Sequence, residues 1–155
     1  MRSGRRIAVD VGTVRIGIAV SDSEGILASP LTTLQRRSST QDSVRSLLVE
    51  IADYEPIEFY VGLPVALSGN VTKSTEDALS FAAEISKQAN VPVRLIDERL
   101  TTNSSSKTLR EVGKNAKDGR KIIDQIAATI ILEQALLTEK NSGFAPGTAL
   151  EEFNG

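Results

Sequence analysis

An aspartate stands in the middle of the apolar stretch "IAVDVGTVRIGIAVSD", residues 7–22. Taking the Asp10 carboxylate out of water would cost several kcal/mol unless something compensates its charge. Strand alternation sets Ala8 and Asp10 on one face, and Ile7, Val9 and Val11 on the other. Glu98 follows the apolar run "VPVRLI", at the carboxyl end of a strand, where ligands commonly bind in open α/β sheets. Helical spacing puts Asp124 on one face with Ala127, Ala128, Ile131 and Ala135, so its carboxylate points toward whatever that apolar face covers. The chain has no Cys and no His, which excludes thiolate nucleophiles, disulfides, imidazole bases and most zinc or iron ligand sets. Carboxylates gathered in one region repel one another, and their natural partner is a hard divalent cation, Mg²⁺ or Mn²⁺, bound through oxygen. Two such ions about 3.5–4 Å apart can activate a water and stabilise the leaving oxygen in phosphodiester cleavage. Structural roles remain open for each residue. Asp10 can accept from the turn amides of Gly12 and Thr13, Glu98 can pair with Arg99, and Asp124 with Lys121.

The elements that must position these groups follow from pattern. Residues 5–11 and 15–22 predict a hairpin, with Gly12 giving backbone freedom to its turn, and a further strand near residues 26–34 continues a meander. Val44, Leu47, Leu48, Ile51 and Ala52 have helical spacing over residues 41–54, closed by Pro56. A strand over 57–62, the loop "GLPVALSGN", a helix over 75–89 and the strand "VPVRLID" alternate after it. A weaker helix is predicted from about Thr102, and a clear one from Arg120 to Leu137. The expected fold is α/β, a mixed central β-sheet flanked by α-helices. One domain is expected over residues 1–139, followed by a poorly ordered tail over 140–155, where "NSGFAPGTALEEFNG" has many breakers and no period. With 40% hydrophobic and 25% charged residues, the composition is globular. No apolar run approaches the roughly 20 residues that cross a bilayer. "MRSGRR" leads into a strand carrying Asp10 rather than into a signal-peptide core, so a cytoplasmic location is expected.

A net charge of −2 does not announce nucleic-acid binding, yet Lys107, Arg110, Lys114, Lys117, Arg120 and Lys121 cluster between Glu98 and Asp124, opposed only by Glu111 and Asp118. Such a segment can grip phosphates beside a metal site or form a solvated surface. Arg15, on the face of Gly17 and Ala19, is a further candidate phosphate ligand. Thr101 and Thr102 are read first as helix caps. With aromatics at 4%, base stacking is a poor basis for recognition, which favours backbone and shape contacts with structured RNA or branched DNA.

Four segments in order, "IAVDVGTVRIGIAVSD", "YVGLPVALSGN", "IDERLTT" and "RKIIDQIAATIILEQAL", resemble the YqgF family of pre-16S rRNA nucleases, also called Holliday junction resolvase-like proteins, over residues 5–137. The resemblance implies a ribonuclease H-like fold and a carboxylate site for Mg²⁺ or Mn²⁺. Asp10 matches the family's first-strand aspartate, Glu98 the glutamate of its "DERLTT"-type motif, and Asp124 the aspartate before its small-residue helix. These are the expected catalytic metal ligands. The loop after "GLP" departs from the family by reading "VALSGNVTKST" where an acidic or glycine-rich continuation is usual.

The expected activity is therefore metal-dependent endonucleolytic cleavage of precursor 16S rRNA, with junction resolution on branched DNA as the alternative, by a monomer or a homodimer. Two other classes compete. "DVGTVRIGIAV" also resembles the first phosphate loop of actin-type and sugar-kinase ATPases, which set two such domains around a nucleotide where 155 residues offer one. A non-enzymatic ribosome-assembly or nucleic-acid-binding module would be indifferent to Mg²⁺ and to Asp10→Asn.

Overall fold

Period-two alternation in the first twenty residues builds a hairpin whose two faces differ in character. The computed structural model describes residues 1–65, 68–100 and 119–153. Strand β1 (Arg6–Val11) pairs antiparallel with β2 (Arg15–Ser21), which pairs antiparallel with β3 (Ala28–Gln35) at the sheet edge. On its other side β1 is parallel to β4 (Glu58–Leu63), and β4 is parallel to β5 (Val93–Asp97). A two-residue strand, β6 (Thr148–Ala149), closes the order β3-β2-β1-β4-β5-β6. Helix α1 (Thr40–Glu50) links β3 to β4 and starts at Ser39, whose side chain accepts the Asp42 amide. Helix α2 (Lys73–Ala89) links β4 to β5, with a capping box between Thr72 and Thr75. Helix α3 (Gly119–Ser142) crosses the opposite face. The mixed, helix-flanked sheet agrees with the pattern of the sequence.

The two faces pack differently. Ile7, Val9, Ile16, Ile18, Phe59, Val61 and Leu95 meet Val44 and Leu47 of α1 and Phe81 and Ile85 of α2 in the larger core. On the other side Ala8, Ala19, Tyr60 and Ile96 meet Ala128, Ile131, Leu132 and Ala135 of α3. Alanines on both surfaces let α3 lie close to the sheet, and a tightly apposed helix can carry a polar side chain against strand ends. The far end of α3 is fixed by charge: Glu139 accepts from the wholly buried Arg6 at 3.0 Å and from Arg2 at 2.6 Å, and Arg2 also reaches Glu58 at 2.7 Å.

Two expectations are corrected. Residues 140–155 are not a poorly ordered tail over their described length: α3 runs to Ser142, β6 pairs with Arg94 and Leu95 of β5, and Leu150 and Phe153 pack on the larger core. The physical cause is the outer edge of β5, whose backbone groups need partners, while the Arg94 guanidinium donates to the carbonyls of Pro146 and Gly147. Gly12 is not left-handed in the hairpin turn. It serves through close approach, its amide donating to the Arg15 carbonyl at 3.0 Å where a Cβ would stand 2.5 Å from that oxygen. The weaker helix expected from Thr102 lies outside the described residues. Among those described, no helix is long and apolar enough to cross a membrane.

Candidate metal centre

The carboxyl ends of β1, β4 and β5 lie side by side because these strands are parallel, and alternation brings Asp10, Gly62 and Ile96 to the α3 side. Asp10 sits directly across the β1–β2 ladder from Gly17. A Cβ on Gly17 would stand 2.0 Å from the backbone carbonyl oxygen of Asp124, so this glycine is what lets the start of α3 rest on β2 beside Asp10. Gly62 plays the matching part on the other side. A Cβ there would stand 2.6 Å from a carboxylate oxygen of Glu98 and 2.5 Å from Ile131. Two glycines thus clear space on one sheet face for three acidic residues from two strand ends and a helix.

The electrostatics bear the mark of that crowding. Burial, then the charges of Glu98 and Asp124, push the Asp10 carboxyl up to about 7, and a hydrogen bond joins it to Glu98. Burial also raises Glu98, against the hydrogen bond from Asp10 and with help from the Asp97 charge. Both carboxyls are thus shifted toward their protonated forms, and a proton in the hydrogen bond from Asp10 to Glu98 relieves the repulsion of two carboxylates sharing one site. An oxygen-only donor set that must take up a proton to coexist has the chemistry a hard divalent cation fits, since the cation replaces the proton as the compensating charge. Arg99 does not provide that compensation through its observed ion pair: it clasps Asp97 at 2.6 Å, and its hydrogen bonds hold the Asp97 carboxyl down.

Asp124 is near enough to raise Asp10, yet its side chain is turned to another partner. Arg15 Nε donates to Asp124 Oδ2 at 2.8 Å. The Lys121 pairing left open by the sequence is not the one formed, and among the described residues no group of three carboxylates is gathered as a ready-made cage. Of the six cations in the basic cluster, Arg120 and Lys121 are described and exposed on the first turn of α3, where the Lys121 carbonyl accepts from Thr33 Oγ1 at 2.7 Å. Lys107, Arg110, Lys114 and Lys117 lie outside the described residues, as do Thr101 and Thr102.

Sequence reasoning missed Gly17, Gly62 and Arg36. A glycine inside a strand is a signal of close backbone approach, and both strand glycines carried it. Arg36 bonds the Gly12 carbonyl at 3.2 Å and Asp77 at 2.6 Å, tying the turn after Asp10 to α2. No spacing in the sequence announces that bridge.

Known proteins share much of this sequence and its fold. The family model RuvX, described as Holliday junction resolvase, matches residues 4–138. A relative from Leifsonia xyli subsp. xyli is 48% identical over 151 residues, covering 97% of both chains. Another, from Streptomyces coelicolor, is 49% identical over 152 residues, covering 97% of this chain and 90% of its own. Both are named as candidate pre-16S rRNA nucleases. Thermus thermophilus RuvC, solved in complex with a Holliday junction substrate, has the same fold at a TM-score of 0.58 and 15% identity, covering 94% of this chain and 99% of that one. The mixed sheet and its helices are thus ribonuclease H-like.

Proposed function

This chain belongs to the RuvX family, also called YqgF, and from that premise we propose that it is a divalent-metal-dependent endonuclease with precursor 16S rRNA as its substrate. The observation that carries the reading is the half-buried, hydrogen-bonded pair of Asp10 and Glu98, set between two strand glycines with the charge of Asp124 beside it. Asp10, Glu98 and Asp124 would hold Mg²⁺ or Mn²⁺. The chemistry such an ion supplies is a lowered pKa for water and charge stabilisation on the cleaved phosphate. In the reaction, water oxygen bonds to phosphorus as one P–O ester bond breaks, and a proton goes to the leaving oxygen. The chain's own part is to bring Asp10, Glu98 and Asp124 to one end of the sheet from two strand ends and a helix, and to position the phosphate. Arg15, Arg120 and Lys121 would meet a backbone phosphate, together with Lys107, Arg110, Lys114 and Lys117 of the segment between Glu98 and Asp124.

The names of the curated relatives support RNA as substrate. The family's description favours a second reading, resolution of branched DNA. Cleavage of a precursor 16S rRNA fragment and of a four-way DNA junction in Mn²⁺, with Asp10→Asn alongside, separates the two. Cutting of the RNA by wild type alone supports the first reading, and cutting of the junction alone the second. Binding of RNA without cutting, indifferent to Mn²⁺ and to Asp10→Asn, would leave a non-enzymatic assembly module.

A further inference from the structure

The ion pair between Arg15 and Asp124 occupies a carboxylate that the site needs. Arg15 opens β2, two residues before Gly17, and Asp124 lies in the second turn of α3, whose backbone rests on that glycine. The contact is therefore built into the packing of β2 against α3. Its side chains remain 24% and 20% exposed, so a ligand approaching the strand ends can reach both. A guanidinium beside the carboxylate and a dication on it repel each other. Arg15 and a metal ion are thus rivals for Asp124. A guanidinium also matches the geometry of a phosphate, for which it is a better partner than a lone carboxylate oxygen bound through Nε alone.

We propose that Arg15 is a positioning residue that exchanges partners: without nucleic acid it holds Asp124 away from the metal position, and a backbone phosphate takes the guanidinium and releases Asp124 to the cation beside Asp10 and Glu98. The inference rests on the metal-nuclease reading and adds to it an order of assembly. Metal and nucleic acid then bind cooperatively, each raising the affinity for the other by the same factor. The arrangement also keeps the metal position incomplete until a phosphate is in place.

Two measurements on the full chain test the exchange. Calorimetric Mn²⁺ binding without nucleic acid should be tighter in Arg15→Gln than in wild type by about fivefold or more, the low end of typical coupling. A 2′-O-methyl oligoribonucleotide of precursor 16S rRNA sequence should tighten Mn²⁺ binding to wild type and have much less effect on the variant. Equal or weaker Mn²⁺ binding by Arg15→Gln would overturn the proposal, since a residue that merely supports Asp124 loses metal when removed. Independently of any variant's folding, the Arg15 Nε–H resonance of ¹⁵N-labelled wild type should shift when Mg²⁺ and the oligoribonucleotide are both added. If wild type binds Mn²⁺ while that resonance keeps its free position with Mg²⁺ and the oligoribonucleotide both present, the exchange fails and the metal site stands. If wild type binds no Mn²⁺ even with saturating oligoribonucleotide, the metal-nuclease reading fails and takes the exchange with it.

Discussion

Gly17 faces Asp10 across the β1–β2 ladder and touches the backbone of Asp124, so one residue without a side chain fixes the separation of two of the three carboxylates. Gly17→Ala would place a methyl 2.0 Å from a backbone oxygen, which cannot swing aside as a side chain can. Helix α3 must shift, at a cost of about 1–3 kcal/mol in urea unfolding. Cleavage should fall by at least tenfold under conditions where the variant is folded. Wild-type stability in Gly17→Ala would contradict the packing described.

Gly62→Ala should behave differently. Its new methyl would meet the carboxylate end of Glu98 and the tip of Ile131, both ends of flexible side chains. The expected stability loss is below about 1.5 kcal/mol, with a larger loss of Mn²⁺ affinity as Glu98 is displaced. Isothermal titration beside thermal unfolding resolves the two effects, and an unchanged metal affinity would argue that Glu98 does not ligate at this position.

Burial and neighbouring charge raise Asp10 from its ordinary 3.8 to about 7. A carboxyl whose folded pKa is raised stabilises the fold below its unfolded pKa and loses that contribution as pH climbs through the folded value. Metal-free wild type should therefore lose stability between about pH 4 and pH 7 relative to Asp10→Asn, with Glu98 acting in the same direction. Saturating Mg²⁺ should stabilise wild type more at pH 8 than at pH 5. Parallel stability profiles for wild type and Asp10→Asn across this range would contradict the assigned environment of Asp10.

At the far end of α3, Glu139→Ala would strand the wholly buried Arg6. Removing one partner of a buried pair costs about 3–5 kcal/mol. Chemical denaturation should show that loss, while cleavage at a temperature where the variant is folded should stay within about threefold of wild type, because Asp124 and the proposed metal centre lie at the other end of the helix.

The sequence made some of this legible and concealed the rest for definable reasons. Alternation located Asp10 on the face it occupies, the end of an apolar strand located Glu98, and helical spacing turned Asp124 toward the sheet. These are local periodicities, which sequence carries directly. The partner of Asp124 was not legible, because Arg15 and Asp124 are 109 residues apart and meet only through the packing of β2 on α3. The clearance roles of Gly17 and Gly62 were missed because a close approach belongs to two elements at once. The seating of residues 148–153 on β5 was hidden for another reason: a two-residue strand has no period to read.

Mn²⁺ binding by calorimetry, on wild type, Asp10→Asn, Glu98→Gln and Asp124→Asn, tests the central claim most directly. Saturable binding by wild type is expected, weakened about tenfold or more by Asp10→Asn and by Glu98→Gln, with Asp124→Asn most affected when an oligonucleotide is present. Wild-type Mn²⁺ affinity in Asp10→Asn, verified as folded, would contradict it, because the carboxylate buried in that apolar strand would then owe its place to something other than a metal ion.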